Sequence, residues 1–232
     1  SFSKIFENYN EFQNIFVIIN ESYPNFKDKS LKNKLTLALE SNLQNIKISK
    51  YKKDWNKNYS TQGAEMDFFC DKKGSWEEFK NNFNNFITKN DCWINNFKNR
   101  HNIFIHSFDS KSFNRSRYYL EDNSFFNKAY FKEDLLKLNY NTCDTNVYYI
   151  GICETEIVNK LLNEIKENKK KQFILYLTVE NHIPVHVKNY DENICKNYPI
   201  NLHPQFCSLF HNQLNFNKEI NKFINNLNSK DL

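Results

Sequence analysis

FILYLTVENHIPVHV, residues 173–187, is the stretch on which the fold turns. Its first seven residues are apolar, β-branched or aromatic without alternation, the pattern of a strand buried on both faces. The run then breaks into Asn181-His182-Ile183-Pro184. Pro184 restricts Ile183 and stiffens the backbone just after His182, which fixes the direction in which the imidazole leaves the strand end. A strand covered on both faces belongs to a largely parallel sheet, and such sheets collect ligands at the carboxyl ends of their strands. His182 is therefore either a structural histidine at a strand end or one that faces a ligand.

Three further runs read as strands: NIFVIIN (14–20), NIFIHSF (102–108) and NVYYIGI (146–152). Helical patterns lie between and after them. SWEEFKNNFNNFITKN (75–90) opens with a Ser and a Glu that form an N-terminal cap and places Phe79, Phe83 and Phe86 on one face. ETEIVNKLLNEIKENKKK (154–171) does the same with Ile157, Leu161, Leu162 and Ile165, its acidic start and basic end matching the helix dipole. FNKEINKFINNLNSKDL (216–232) is a third amphipathic pattern. Alternation of strands and helices predicts an α/β fold, a mostly parallel sheet covered by helices on both faces. A length of 232 residues predicts a single domain spanning 1–232.

Composition excludes several classes. The net charge of +5, from 32 basic and 27 acidic residues, is too mild and too scattered for a nucleic-acid groove. It suits either an ordinary solvated surface or a protein that handles anionic headgroups or phosphates. The six cysteines (70, 92, 143, 153, 195 and 207) contain no CxxC pair, which argues against zinc knuckles. They read as disulfides of an oxidising compartment, with Cys195 and Cys207 bracketing one Pro-containing loop, or else as free buried thiols. No stretch approaches the roughly 20 apolar residues of a membrane span. Asn-rich runs such as KNNFNNF read as solvated helix faces.

Four places carry chemistry. Glu21 directly follows the first strand, where a carboxylate is costly unless paired or metal-bound; it is a candidate ligand or a solvent-facing loop residue. In NYSTQGAEMDFFC (58–70), Ser60 and Thr61 precede an amphipathic segment, and a hydroxyl there is a helix cap or a nucleophile. A divalent cation held upstream would favour the nucleophile, because it deprotonates a hydroxyl that has no neighbouring base. In HSFDSKSFNR (106–115), His106 and Arg115 flank Phe113; a histidine donor and a guanidinium fork are natural partners of a phosphoryl oxygen, and a plain surface loop is the alternative. His182 completes the set.

Glu after the first strand, Ser-Thr-x-x-x-Glu before a helix, His…Phe-Asn-Arg, then Asn-His-x-Pro: in this order the motifs resemble the sulfatase branch of the alkaline phosphatase superfamily. Within it the chain is most similar to the membrane-anchored phosphoethanolamine and glycerol-phosphate transferases, including lipoteichoic acid synthases, over residues 14 to 227. The resemblance implies an alkaline phosphatase-like fold and a divalent metal, Zn or Mn, with Glu21 and Thr61 among its ligands. It implies Thr61 as the catalytic residue that becomes phosphorylated, with Ser60 beside it, and His106, Phe113, Arg115 and His182 as substrate-binding. A phospholipid would be the donor and a cell-surface glycan or lipid the acceptor. The location would be extracytoplasmic, on the periplasmic side of the inner membrane, with the membrane association through a segment absent from this chain. The pair Cys195 and Cys207 resembles a disulfide of the periplasmic members.

Family members take further metal ligands from a later strand ending in an Asp-His-Gly type motif, and this sequence has no Asp-His pair. The expectation is a C-terminally incomplete fold, either a shortened chain or a degenerate, non-catalytic relative that binds without reacting. A sulfatase-like hydrolase is the alternative enzyme. STQGAE lacks the Pro and Arg of the formylglycine context, which counts against it.

Overall fold

The computed structural model describes residues 12–20, 27–37, 65, 68–71, 86–87, 92–116, 119, 125–143, 148–166, 168–182, 196 and 204–227. Its centre is a four-stranded sheet in the order β1-β4-β2-β3, every pairing parallel. The strands are β1 (Asn14–Ile19), β2 (His101–His106), β3 (Lys128–Tyr130) and β4 (Gln172–Leu177). Around them lie α1 (Lys29–Leu37), α2 (Lys132–Lys137) and α4 (Pro204–Asn225). The helix α3 runs as α over Glu154–Glu156, π over Ile157–Leu162 and α again over Asn163–Lys166.

Strand residues alternate between two apolar cores. Ile15, Phe104, Phe173, Leu175 and Leu177 join a cluster rich in rings, with Phe69, Trp93, Phe97 and Tyr119. Ile103, Ile105, Ile174 and Tyr176 face the other way, against Ile157, Leu161 and Leu162 of α3 and Phe216, Ile220 and Phe223 of α4. Period-two alternation with both faces apolar is why these strands read as unbroken hydrophobic runs. Every residue of β4 is buried, as its central position requires.

The strands 14–20, 102–108 and 173–179 appear within two residues of their predicted bounds. Of the run 146–152, the described residues, 148–152, do not form the fourth. Residues 148–150 are bends and a coil position, and Ile152 makes only an isolated antiparallel bridge to Thr142. The Cys143–Cys153 disulfide and a backbone bond from Ile152 N to Ser107 O, 2.8 Å, tie this apolar segment down as a loop. The fourth strand is instead Lys128–Tyr130, three residues, too short to show a period. α4 begins at Pro204, well before the amphipathic pattern at 216–232; proline suits a first helical turn because its missing N–H would have no partner there. Of the predicted helix at 75–90, only residues 86 and 87 lie within the described set, and both are helical.

Five cysteines are described and all are disulfide-bonded: Cys70 to Cys92, Cys143 to Cys153, and Cys207 to a residue outside the described set. The predicted partner, Cys195, lies outside it too. Complete pairing is what an oxidising compartment sustains. No helix among the described residues is long and apolar enough to cross a membrane.

Candidate functional site

Register sets the site. Ile19, Leu177 and His106 lie level across β1, β4 and β2, so these strands end together and deliver Asn20, Thr178 and Ser107 to one rim. Thr178 N donates to Ile19 O at 3.1 Å, and Thr178 Oγ1 donates to Asn20 Oδ1 at 3.3 Å.

A buried carboxylate then shapes the exit of β4. Glu154, the first residue of α3, is 3% exposed and accepts from Val179 N at 2.6 Å, Glu180 N at 2.9 Å, Ser107 Oγ at 3.2 Å and Tyr176 Oη at 2.5 Å. Backbone donors that would otherwise be stranded past the last strand residue are thereby satisfied. The chain next turns, with His182 N donating to Val179 O at 2.8 Å. This explains why a fully buried strand ends by presenting a histidine: carboxylate and turn together fix where His182 leaves the sheet. Burial, then the nearby Glu180 charge, raise the Glu154 pKa from 4.5 to about 7 against the pull of its hydrogen bonds.

His106 ends β2 fully enclosed, with 0% exposure, and Nδ1 lies 3.1 Å from Leu177 O. A carbonyl only accepts, so Nδ1 carries the proton and Nε2 keeps its lone pair. Nε2 is buried with no partner. Burial first, then the Arg115 charge, hold the His106 pKa well below its ordinary value, the bond to Leu177 and the neighbouring His182 acting as smaller influences of opposite sign. The imidazole is neutral at pH 7.

Arg115 is 2% exposed and pairs with Glu65 at 2.7 Å; Tyr119 Oη donates to the other oxygen of the same carboxylate. The guanidinium also lies 5.0 Å from the Phe113 ring centroid. Phe113 adopts φ 56°, ψ 22°, a left-handed conformation unusual for a bulky residue. Its ring is 43% exposed and stacks near-parallel to His182 at 6.4 Å. Non-glycine residues held in that region cluster at functional sites.

Four of the six predicted site residues are therefore described, and they form one neighbourhood: Phe113 lies beside both Arg115 and His182, and ring contacts run from His106 through Phe108 and Tyr149 to His182. Glu21 and Thr61, the predicted metal ligands, lie outside the described residues. Among the described residues, no group of three His, Cys, Asp or Glu side chains is placed to hold a metal ion.

Sequence reasoning missed Glu154 and Tyr149. Glu154 reads only as the acidic start of a helix. Tyr149, whose ring lies 3.9 Å from that of His182, has no local signal. Glu65 was visible as the last residue of Ser-Thr-x-x-x-Glu, but its bond to Arg115 was not.

A parallel sheet with both faces covered and histidines at the carboxyl ends of its strands defines an α/β protein of the kind that collects ligands along that edge. Among solved structures, the lipoteichoic acid synthase LtaP from Listeria monocytogenes has this fold: it matches 94% of this chain and 52% of its own length at TM-score 0.55 and 15% identity. The chain thus spans about half the length of that protein, and at this identity the likeness is one of fold. A protein in the alkaline phosphatase superfamily from Vibrio parahaemolyticus overlaps more narrowly, over 57% of this chain and 29% of its own, at TM-score 0.37 and 15% identity. No protein-family model and no curated protein matches the sequence.

Proposed function

We propose that the chain is part of a metal-dependent phosphotransferase that moves a phospho-headgroup, of the phosphoethanolamine or glycerol-phosphate type, from a phospholipid to a cell-surface glycan or lipid on the extracytoplasmic side of a membrane. The observation that carries this reading is the gathering of His106, Arg115, Phe113 and His182 at one rim of an alkaline phosphatase-like sheet. Cationic and neutral donors at such a rim counter charge that develops on phosphoryl oxygens. His106 is not one of these donors, since its Nδ1 proton is engaged by Leu177 O and its buried Nε2 carries only a lone pair; Arg115 and His182 are the groups with N–H to give.

In this reading, Thr61 Oγ bonds to phosphorus as the bond from phosphorus to the diacylglycerol oxygen breaks; the threonine proton is released and the departing oxygen takes one up. An acceptor hydroxyl then displaces Thr61 in the same sense, losing its proton as the threonine oxygen regains one. Two displacements of one kind let a single site stabilise similar transition states twice. When bound, a divalent cation would lower the pKa of the threonine hydroxyl.

The test is intact-mass analysis after incubation with phosphatidylethanolamine or phosphatidylglycerol vesicles and Zn or Mn. A headgroup-phosphate adduct on the wild-type chain, lost in Thr61→Ala, is the expected result. An adduct that survives Thr61→Ala removes Thr61 from the chemistry, and no adduct with either lipid or metal counts against transferase activity in these 232 residues.

A further inference from the structure

The apolar segment that fails to become a strand is held unusually firmly for a loop. Cys143 N donates to Gly151 O at 3.0 Å, Cys153 N donates to Asn141 O at 3.1 Å, and the Cys143–Cys153 disulfide closes the pair. On the sheet side, Ile152 N donates to Ser107 O, and Lys132 Nζ donates to Ile150 O. Gly151 sits so close to the end of β2 that a Cβ there would fall 2.8 Å from Ser107 O. What these ties deliver is one side chain. The Tyr149 ring lies against Phe108 at 5.7 Å and over the His182 imidazole at 3.9 Å, with the planes 37° apart.

The backbone of His182 is set by its turn, but a turn does not fix two side-chain torsions. An imidazole that must meet a reacting group loses effectiveness steeply when its aim wanders, and supporting contacts are what prevent this. We propose that Tyr149 is a positioning residue for His182: the Tyr149 ring fixes the imidazole's orientation, and the Cys143–Cys153 loop holds Tyr149 in place. The consequence for group transfer rests on the function proposed above; the orientation itself does not.

Histidine-selective NMR on the full chain separates the two. The chain has six histidines, and the His182 resonances are assigned by their loss in His182→Gln. In the wild type, the His182 ring protons should show ring-current displacement and cross-relaxation with the Tyr149 ring. Tyr149→Ala should abolish that displacement, Tyr149→Phe should retain it, and a Cys143→Ser/Cys153→Ser double variant should reduce it. The idea fails if Tyr149→Ala leaves the His182 resonances in place, or if Tyr149→Phe moves them as far as Tyr149→Ala does. Should the alanine variant not fold, absence of the wild-type cross-relaxation overturns the proposal by itself. Titration with inorganic phosphate then reads function, with Kd rising about tenfold in Tyr149→Ala and unchanged in Tyr149→Phe. A wild-type chain whose histidine resonances ignore phosphate overturns the phosphoryl-site reading, while the resonance comparison still decides the positioning role.

Discussion

Glu154 shows how one side chain links stability, pH and the site. Its carboxylate orders the exit of β4 by accepting from two backbone N–H groups, yet it does so in a buried place beside Glu180. Between pH 4.5 and about 7 the folded protein keeps a proton that the unfolded chain has released. Raising the pH through that window therefore removes folding stability, about 3 kcal/mol in all, and none of this loss is felt below 4.5. His106 runs the opposite way: with its folded pKa depressed, its contribution is present above 6.5 and declines as the pH falls below that value. Comparing Glu154→Gln with wild type cancels the histidine and isolates the glutamate. Urea midpoints across pH 4 to 8 should show the glutamine variant gaining on wild type by about 3 kcal/mol as the pH rises. A constant offset between the two proteins would mean that the hydrogen bonds balance burial and hold the Glu154 pKa near its ordinary value.

At the level of elements, Gly151 decides whether the loop at 148–153 can lie against the sheet. A methyl group there would meet both Ser107 O and Val179 Cγ1 at 2.8 Å, and the first is backbone at the end of a central strand with little room to move. Gly151→Ala should cost about 1–3 kcal/mol as overpacking, read by thermal or chemical melting. It should also displace the neighbouring Tyr149, whereas a variant as stable as wild type would show the loop to be only loosely seated. The same element marks the boundary of what sequence pattern reveals. β1, β2 and β4 were legible because each carries an unbroken apolar run, of five, three and five residues, rather than an alternating one. NVYYIGI carries it too, but its aromatic residues serve contacts made through space: Tyr149 reaches His182, and Gly151 abuts Ser107. β3, at three residues, carries too little pattern to be seen. His106 and His182 were legible because they stand at strand ends. Glu65 and Arg115, fifty positions apart, meet only once the chain is folded.

Across the whole molecule, each disulfide braces a different layer. Cys70 and Cys92 belong to the ring-rich core on one face of the sheet, and both are buried within it. Cys143 and Cys153 close the rim loop, and Cys207 lies buried in α4, which packs on the opposite face. The two loops span 22 and 10 residues. On chain entropy alone, each cross-link contributes about 3 kcal/mol, the longer loop more than the shorter by roughly 0.7 kcal/mol. Location widens that difference, because breaking the Cys70–Cys92 bridge also disturbs a packed core, while the other bridge is half-buried. Cys70→Ala/Cys92→Ala should therefore melt at a lower temperature than Cys143→Ala/Cys153→Ala, and both below wild type. The rim variant, unlike the core variant, should disturb the His182 environment out of proportion to its loss of stability. Equal effects of the two pairs on His182, at matched stability, would mean that the rim bridge acts only as one more brace on the fold and has no particular hold on the site.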